Sequence, residues 1–482
     1  MSIRIKSYYI RHYLEQLDFR YRLYVLNKQE NLEKRICAAQ NLMCRVFKRG
    51  LGIYSCPDLE RPFLELAKTL PASLKTDYTP NSYLHVMTQA YLVGGHTRVV
   101  ERWIDTSSVT EKHSVVLLNQ EKETYPAKLV DVCNTHNGEL YLFYDANLID
   151  RAKRLRDLAS QYQYVILHIH MYDPTAIVAF GTEEFTRPVI LFNHADHSYW
   201  CGASIVDMLA DLRLNNIANE FRGINNIYPI RIPLDVNESI LNFTASKEDS
   251  RRKLGLPLDQ KIILTVGGAH KYTPFAGYEF CKMIAKTITS MKNVVCYGIG
   301  PTRETGSWGM SDEQFVALGS INYGEEYFHY LNACDVFLNS IPIGGGTAVL
   351  DAIQFHKPVI SFNLFDDKLG DIINGLYTTN NLNQFGETLK AVLLSEDVAN
   401  TLAKRQYEDV LECHGIDNWR KNVKEMLNRT PQKHSIHDIS NVRYKINDLA
   451  IMISLWNGYT VKRTNFIGAV WRFIKGVIYI RK

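Results

Sequence analysis

At 482 residues the chain is long enough for two to four domains, and 46% hydrophobic with 22% charged residues excludes a disordered or fibrous protein. The net charge of +4 is unevenly spread: residues 1–50 carry +7 and residues 429–482 carry +8, which leaves −11 for the body between them. An acidic body with basic, aromatic-rich ends argues against a nucleic-acid partner and fits an anionic membrane surface. Nine cysteines without a CxxC pair read as reduced thiols, and no apolar run approaches the roughly 20 residues of a membrane span. The expected place is cytoplasmic, peripheral on the inner face of the membrane, with no leader.

Residues 1–75 read as a helical N-terminal extension, broken at Gly50, Gly52 and Pro57, that caps the domain after it. Residues 76–236 then read as a first α/β domain. A strand at Tyr83–Met87 is followed by Gly94, Gly95, His96 and a helix from Val99 to Ile104. Further strands are expected at Ser114–Leu118, Glu139–Phe143, Tyr164–His168, Val189–Phe192 and 228–234, with helices over 148–162 and 203–222. Crossovers of this length imply parallel pairing. Residues 237–400 repeat the alternation: strands at Ile262–Val266, Asn293–Tyr297 and Ala317–Ile321, and helices over 274–291 and 324–333. Residues 401–428 read as a helix that packs back through Trp419, and 429–482 as a basic amphipathic tail. The expected architecture is α/β, two doubly wound Rossmann-like domains facing a central cleft.

The most informative stretch is 335–361. A buried strand (Val336–Leu338) leads into a glycine turn (Gly344–Gly346), a helix from Thr347 and a second strand after Pro358. Three glycines before a helix N-terminus allow close approach of an anion to unpaired N–H groups, a setting suited to a diphosphate. Asp351, about one turn into that helix, is within reach of sugar hydroxyls beyond the phosphates.

Over roughly 82–428 these features, in this order, resemble glycosyltransferases of the GT-B fold. The resemblance is carried by His85-Val-Met with Gly94-Gly95, by His168-Ile-His170, by Phe192-Asn-His194, by Arg252-Lys-Leu-Gly-Leu-Pro257 with Lys271, and by the 339–361 stretch. The retaining branch of this fold carries two glutamates where this sequence has Ile343 and Asp351. The Pro342–Thr347 pattern is instead similar to O-GlcNAc transferase and the bacterial adhesin N-glucosyltransferases, which invert; inversion is favoured and retention stays open.

The resemblance implies transfer from a nucleotide-diphosphate sugar, with uridine preferred, to a glycan or lipid-linked hydroxyl acceptor, without cofactor or metal. Bacterial surface polysaccharide assembly is the expected setting. On the donor side Lys271, Gly345, Gly346 and Thr347 would hold the diphosphate, Asp351 the sugar or ribose, and Tyr323 would stack on the base. Gly94, Gly95, His96 and His170 would line the acceptor side. The general base is expected in the 193–197 cluster: His194 first, then His197, with Asp196 orienting a ring or acting itself, and His170 a further candidate. A metal held by His194, Asp196 and His197 is the rival reading of that cluster. Alternatives for the whole chain are a protein glycosyltransferase, a nucleotide-sugar epimerase or hydrolase, and a non-catalytic partner of an active transferase.

Overall fold

The computed structural model describes residues 3–73, 77–92, 95–120, 124–144, 147–213, 216–236, 238–272, 280–291, 293–302, 310–311, 313–341, 344–362, 373, 378–379, 381–440 and 442. Gly94 and the tail beyond 442 lie outside the described residues, as do the start of the expected 274–291 helix and the Pro342-Ile343 pair.

Short β-branched runs buried on both faces make two all-parallel sheets. In the first, β1 (Thr79–Met87), β2 (Lys112–Leu117), β3 (Leu140–Leu142), β4 (Tyr162–His168), β5 (Val189–Phe192), β6 (Met208–Asp211) and β7 (Ile227–Pro229) stand in the order β3-β2-β1-β4-β5-β6-β7. In the second, β8 (Lys261–Val266), β9 (Val294–Ile299), β10 (Phe315–Gly319), β11 (Val336–Leu338), β12 (Val359–Phe362) and β13 (Thr378–Thr379) stand as β10-β9-β8-β11-β12-β13. Each order reverses beside its first strand. The carboxyl ends of the strands beside that reversal are where doubly wound sheets bind ligands.

The expected helix over 203–222 is a misreading. That stretch folds as a 3-10 turn (Ala203–Ile205), strand β6 and a second 3-10 turn (Ile217–Phe221). A four-residue buried run is compatible with either element, and here pairing on both sides, with β5 and β7, decides for strand.

The Leu32–Arg49 and Pro57–Ala67 helices set Leu42, Met43, Val46, Leu59 and Phe63 into the core that holds Leu84, Val86, Val165 and Leu167 of the first sheet. Asn31 caps one of them and Gly50, at φ 54°, ends it. A second core runs across the domain boundary, joining Trp103 and Phe192 to Ile262, Leu264, Phe337 and Trp419. Trp419, in the Ile416–Arg429 helix, meets Trp103 edge to face at 5.3 Å. After that helix the chain stays on the first domain: His434 Nδ1 is 2.7 Å from Asp207 Oδ2, and Ile439 is buried. The first part of the expected membrane-facing tail is therefore part of the fold.

Candidate functional site

A cleft of about 960 Å³ opens between the sheets. Its first-domain wall includes Gly95, His96, His170, Asn193, His194, Asp196, His197 and Arg213; its second-domain wall includes Gly267, Lys271, Tyr323 and the turn Gly344–Thr347. Most of the expected site residues are thus brought together, from elements up to 250 positions apart.

Lys271 follows β8 and donates to the Gly344 carbonyl at 3.1 Å. Burial and the neighbouring Arg213 push its amine down to about 8, against the pull of Asp196. A Cβ at Gly344 would stand 2.2 Å from Asn339 Nδ2, so any larger residue there would displace the Asn339 side chain. Asn339 Oδ1 accepts from the Gly345 amide at 2.8 Å, so that N–H is committed to the turn and is not a phosphate donor. What the turn offers is the start of the Thr347–Gln354 helix behind Gly346, where no side chain caps the first-turn amides. Gly95 lies against this helix end: a Cβ on it would stand 3.0 Å from Thr347 Oγ1.

On the opposite wall His194 leaves β5 and its Nε2 is 2.8 Å from His168 Nδ1. Burial and His96 hold the His194 ring well below the usual histidine range, with Asp196 opposing, so it stands neutral as a base must. Asp196 is no base itself. Burial would raise its carboxyl, but Arg213 and the 2.9 Å contact to His197 Nδ1 outweigh that and hold it below the usual carboxylate range. It anchors Arg213 and His197. His170 Nε2 is 2.7 Å from the Tyr91 hydroxyl. His96 is pushed down to about 4 by burial and His170, opposed by its contact with the His168 backbone, and its ring nitrogens are buried. Both side-chain polar atoms of Asn193 are buried and unpaired, at the cleft wall. Among the described residues no group of three or more His, Cys, Asp or Glu is arranged to hold a metal ion.

Besides Gly345, two more donor-side expectations are corrected. Asp351 does not face the cleft: it is fully buried and its carboxylate accepts from Arg98 Nη2 at 2.7 and 2.8 Å, Arg102 Nη2 at 2.5 Å and the Tyr327 hydroxyl at 3.0 Å. Arg98 and Arg102 belong to the Gly95–Thr106 helix of the first domain, so Asp351 ties the domains together. Tyr323 reaches the cleft, but the Arg98 guanidinium covers one ring face at 3.7 Å and its hydroxyl donates to Asp235 at 2.5 Å. Its ring belongs to the same clamp and not to a base-stacking platform.

Sequence reasoning missed Arg213, Asn193 as a ligand-facing amide, and the arginine clamp. Arg213 was hidden by the misread helix; a strand ending at Asp211 would have put it at the cleft.

No known protein-family model matches the chain. A 161-residue segment, 33% of this chain, is 28% identical to a Bacillus subtilis protein described as a putative teichuronic acid biosynthesis glycosyltransferase, and the match spans 39% of that relative's length. Solved structures resemble the chain over most of its length. A glycosyltransferase from Rickettsia africae aligns with TM-score 0.52 and 12% identity over 73% of this chain and 99% of its own. The HepE protein of Anabaena, in complex with UDP and glucose, gives 0.55 and 12% over 72% and 99%. A mutant O-GlcNAc transferase of Thermobaculum terrenum gives 0.52 and 11% over 83% and 81%. At such identities the likeness is one of fold. With its two parallel sheets, shared core and intervening cleft, this chain has the GT-B fold of those glycosyltransferases.

Proposed function

We propose that the protein is a glycosyltransferase that moves a sugar from a nucleotide-diphosphate sugar to a hydroxyl acceptor with inversion. The observation that carries the reading is the pairing of opposite chemistries across one cleft: Lys271 and an uncapped helix start on one side, a neutral histidine on the other, with Arg213 on the histidine's wall. The donor diphosphate lies against Lys271 and the Thr347 helix end. The acceptor hydroxyl lies at His194. As the acceptor oxygen attacks C1, its proton goes to His194, the bond from C1 to the diphosphate oxygen breaks, and that electron pair leaves with the nucleoside diphosphate. Lys271, Arg213 and the helix dipole neutralise the developing charge.

A uridine donor is supported by the likeness to HepE, which binds UDP and glucose. A surface glycan as product is supported by the partial match to the teichuronic acid protein. A lipid-linked acceptor at the inner membrane face accords with the basic ends of the sequence. Among the described residues no helix is long and apolar enough to cross a membrane.

The test is a thermal-shift titration with UDP, GDP, CMP and their sugars on wild type and Lys271→Ala, followed by transfer assays with the best donor. A true donor at 100 times its dissociation constant adds about 2.7 kcal/mol of stability to the wild type, and Lys271→Ala loses it. A wild type that no nucleotide stabilises would sink the reading.

A further inference from the structure

Four histidines cross the first sheet on neighbouring strands: His113 on β2, His85 on β1, His168 on β4 and His194 directly after β5. Their rings are joined nitrogen to nitrogen in one sense. His194 Nε2 is 2.8 Å from His168 Nδ1, His168 Nε2 is 3.1 Å from His85 Nδ1, and His85 Nε2 is 3.0 Å from His113 Nδ1. The last nitrogen, His113 Nε2, is buried without a hydrogen-bond partner and lies 3.9 Å from the Glu111 carboxylate, close enough for its charge to act but not for a direct bond. That carboxylate is about a third exposed and accepts from the Ser108 amide at 3.0 Å and the Tyr83 hydroxyl at 3.4 Å. The chain therefore runs from the cleft, through the core, to the surface.

Burial and the neighbouring rings keep all four imidazoles below the usual histidine range, so each is neutral at neutral pH. A neutral imidazole has one N–H and one lone pair. Each of the three ring-to-ring bonds needs one N–H, so all four rings must carry the proton on the same nitrogen. Only two arrangements satisfy this. With Nδ1–H throughout, the His113 Nε2 lone pair confronts the Glu111 carboxylate. With Nε2–H throughout, an N–H faces the carboxylate, and His194 Nδ1 is a bare lone pair. That nitrogen has no partner among the described residues, in a ring that lines the cleft.

We propose that Glu111 fixes the Nε2–H polarity of this four-histidine chain, leaving His194 Nδ1 as the base, and that the chain accommodates the abstracted proton by shifting one proton toward the surface until the leaving group takes one up. This rests on the glycosyltransferase reading only for the identity of the proton's source. The acceptor proton binds His194 Nδ1; the Nε2 protons of His194, His168 and His85 each pass to the next ring's Nδ1; His113 releases its Nε2 proton toward Glu111. The chain, still neutral, now has the opposite polarity. It resets by the reverse shift, in which His194 gives its Nδ1 proton to the departing diphosphate or water and His113 takes one back from the Glu111 side, so the release at Glu111 is transient and the acceptor's proton leaves with the product. His85, His168, His113 and Glu111 are positioning residues, acting through His194. The other titratable groups facing the chain are His96 from the Gly95–Thr106 helix, His136 after the Ala127–Thr135 helix, Tyr83 and Tyr164 from β1 and β4, and Asp196 beside His194.

The experiment reads histidine tautomers by 15N NMR on the full, histidine-labelled chain without substrate, in wild type and Glu111→Lys. The expected wild-type pattern is Nε2–H at His85, His113, His168 and His194, and the exposed cationic replacement should turn it to Nδ1–H. In transfer assays Glu111→Lys should then lower kcat by about tenfold or more, with donor KM and thermal midpoint unchanged, and should alter the kcat–pH profile. Glu111→Gln, which keeps an acceptor for the His113 N–H, should restore much of the rate. Nδ1–H or mixed tautomers in the wild type, or a Glu111→Lys protein with unchanged tautomers and pH profile, would overturn the inference. Absence of transfer with any nucleotide sugar would defeat the functional reading instead, since the tautomer pattern is read without substrate.

Discussion

Two regions at the domain boundary handle buried charge in opposite ways. In the clamp, Asp351 receives Arg98, Arg102 and Tyr327, and Asp235 receives Arg102 and Tyr323, so both buried carboxylates have their partners within the protein. In the cleft, Lys271 is held with a depressed amine, and Asn193 keeps both its buried polar atoms with no partner. Buried polar groups in native proteins are nearly always paired. Carboxylates already saturated have nothing left to offer a ligand, whereas unpaired groups at a cleft wall are open to one that arrives later. Saturation of the carboxylates, taken together with position at the cleft wall, separates the structural site from the functional one.

The largest expected effect follows from breaking the saturated side. Asp351→Ala leaves two arginines at the interface without their shared carboxylate, and losing one partner of a buried pair costs about 3–5 kcal/mol. Denaturant unfolding should register that loss, together with a looser domain boundary. If stability is unchanged, the clamp does not hold the domains.

Lys271→Ala should do the reverse. The amine titrates near 8 in the fold against 10.5 unfolded, so the charged lysine is disfavoured by folding at neutral pH. That penalty fades as pH rises from 8 to 10.5, so removing the residue should leave stability equal or higher. Turnover, however, should fall by about 10²–10³ if the lysine neutralises the leaving diphosphate. A variant that loses stability and keeps turnover would put Lys271 in the clamp's category.

The same amine predicts a pH dependence. Protonated Lys271 attracts the diphosphate, so donor affinity should hold below pH 8 and fall above it, by up to about tenfold per pH unit. Lys271→Arg, always charged, should flatten the curve. Calorimetric titration of donor between pH 6.5 and 9.5 reads both.

How much of this was legible in the sequence follows the same division. The apolar runs of β1, β4, β5, β8 and β11 specified the sheets, because burial on both faces leaves an unmistakable pattern. The glycine turn and Lys271 were visible because their chemistry is local. Asp351 was misassigned because its partner Arg98 lies 253 positions away, and no local pattern announces an ion pair between domains. Arg213 was lost through one wrong element: the run Met208–Asp211 is too short for periodicity to tell strand from helix, and reading it as helix removed a cation from the cleft. The histidine chain was invisible for a related reason, since its members come from three strands and the exit of a fourth and meet only through the sheet.

Asn193 gives the smallest and most discriminating effect. Its amide is buried with both polar atoms unpaired, a state that costs folding free energy until a ligand supplies partners. Asn193→Leu, of similar size, should therefore raise the stability of the free protein by about 1 kcal/mol while weakening ligand binding by about tenfold. Opposite signs in the two measurements, thermal unfolding without ligand and affinity for donor or acceptor, are what a ligand-facing amide requires. A fall in both would mean that Asn193 supports the β5 exit and that the cleft is more like the clamp than its unpaired atoms suggest.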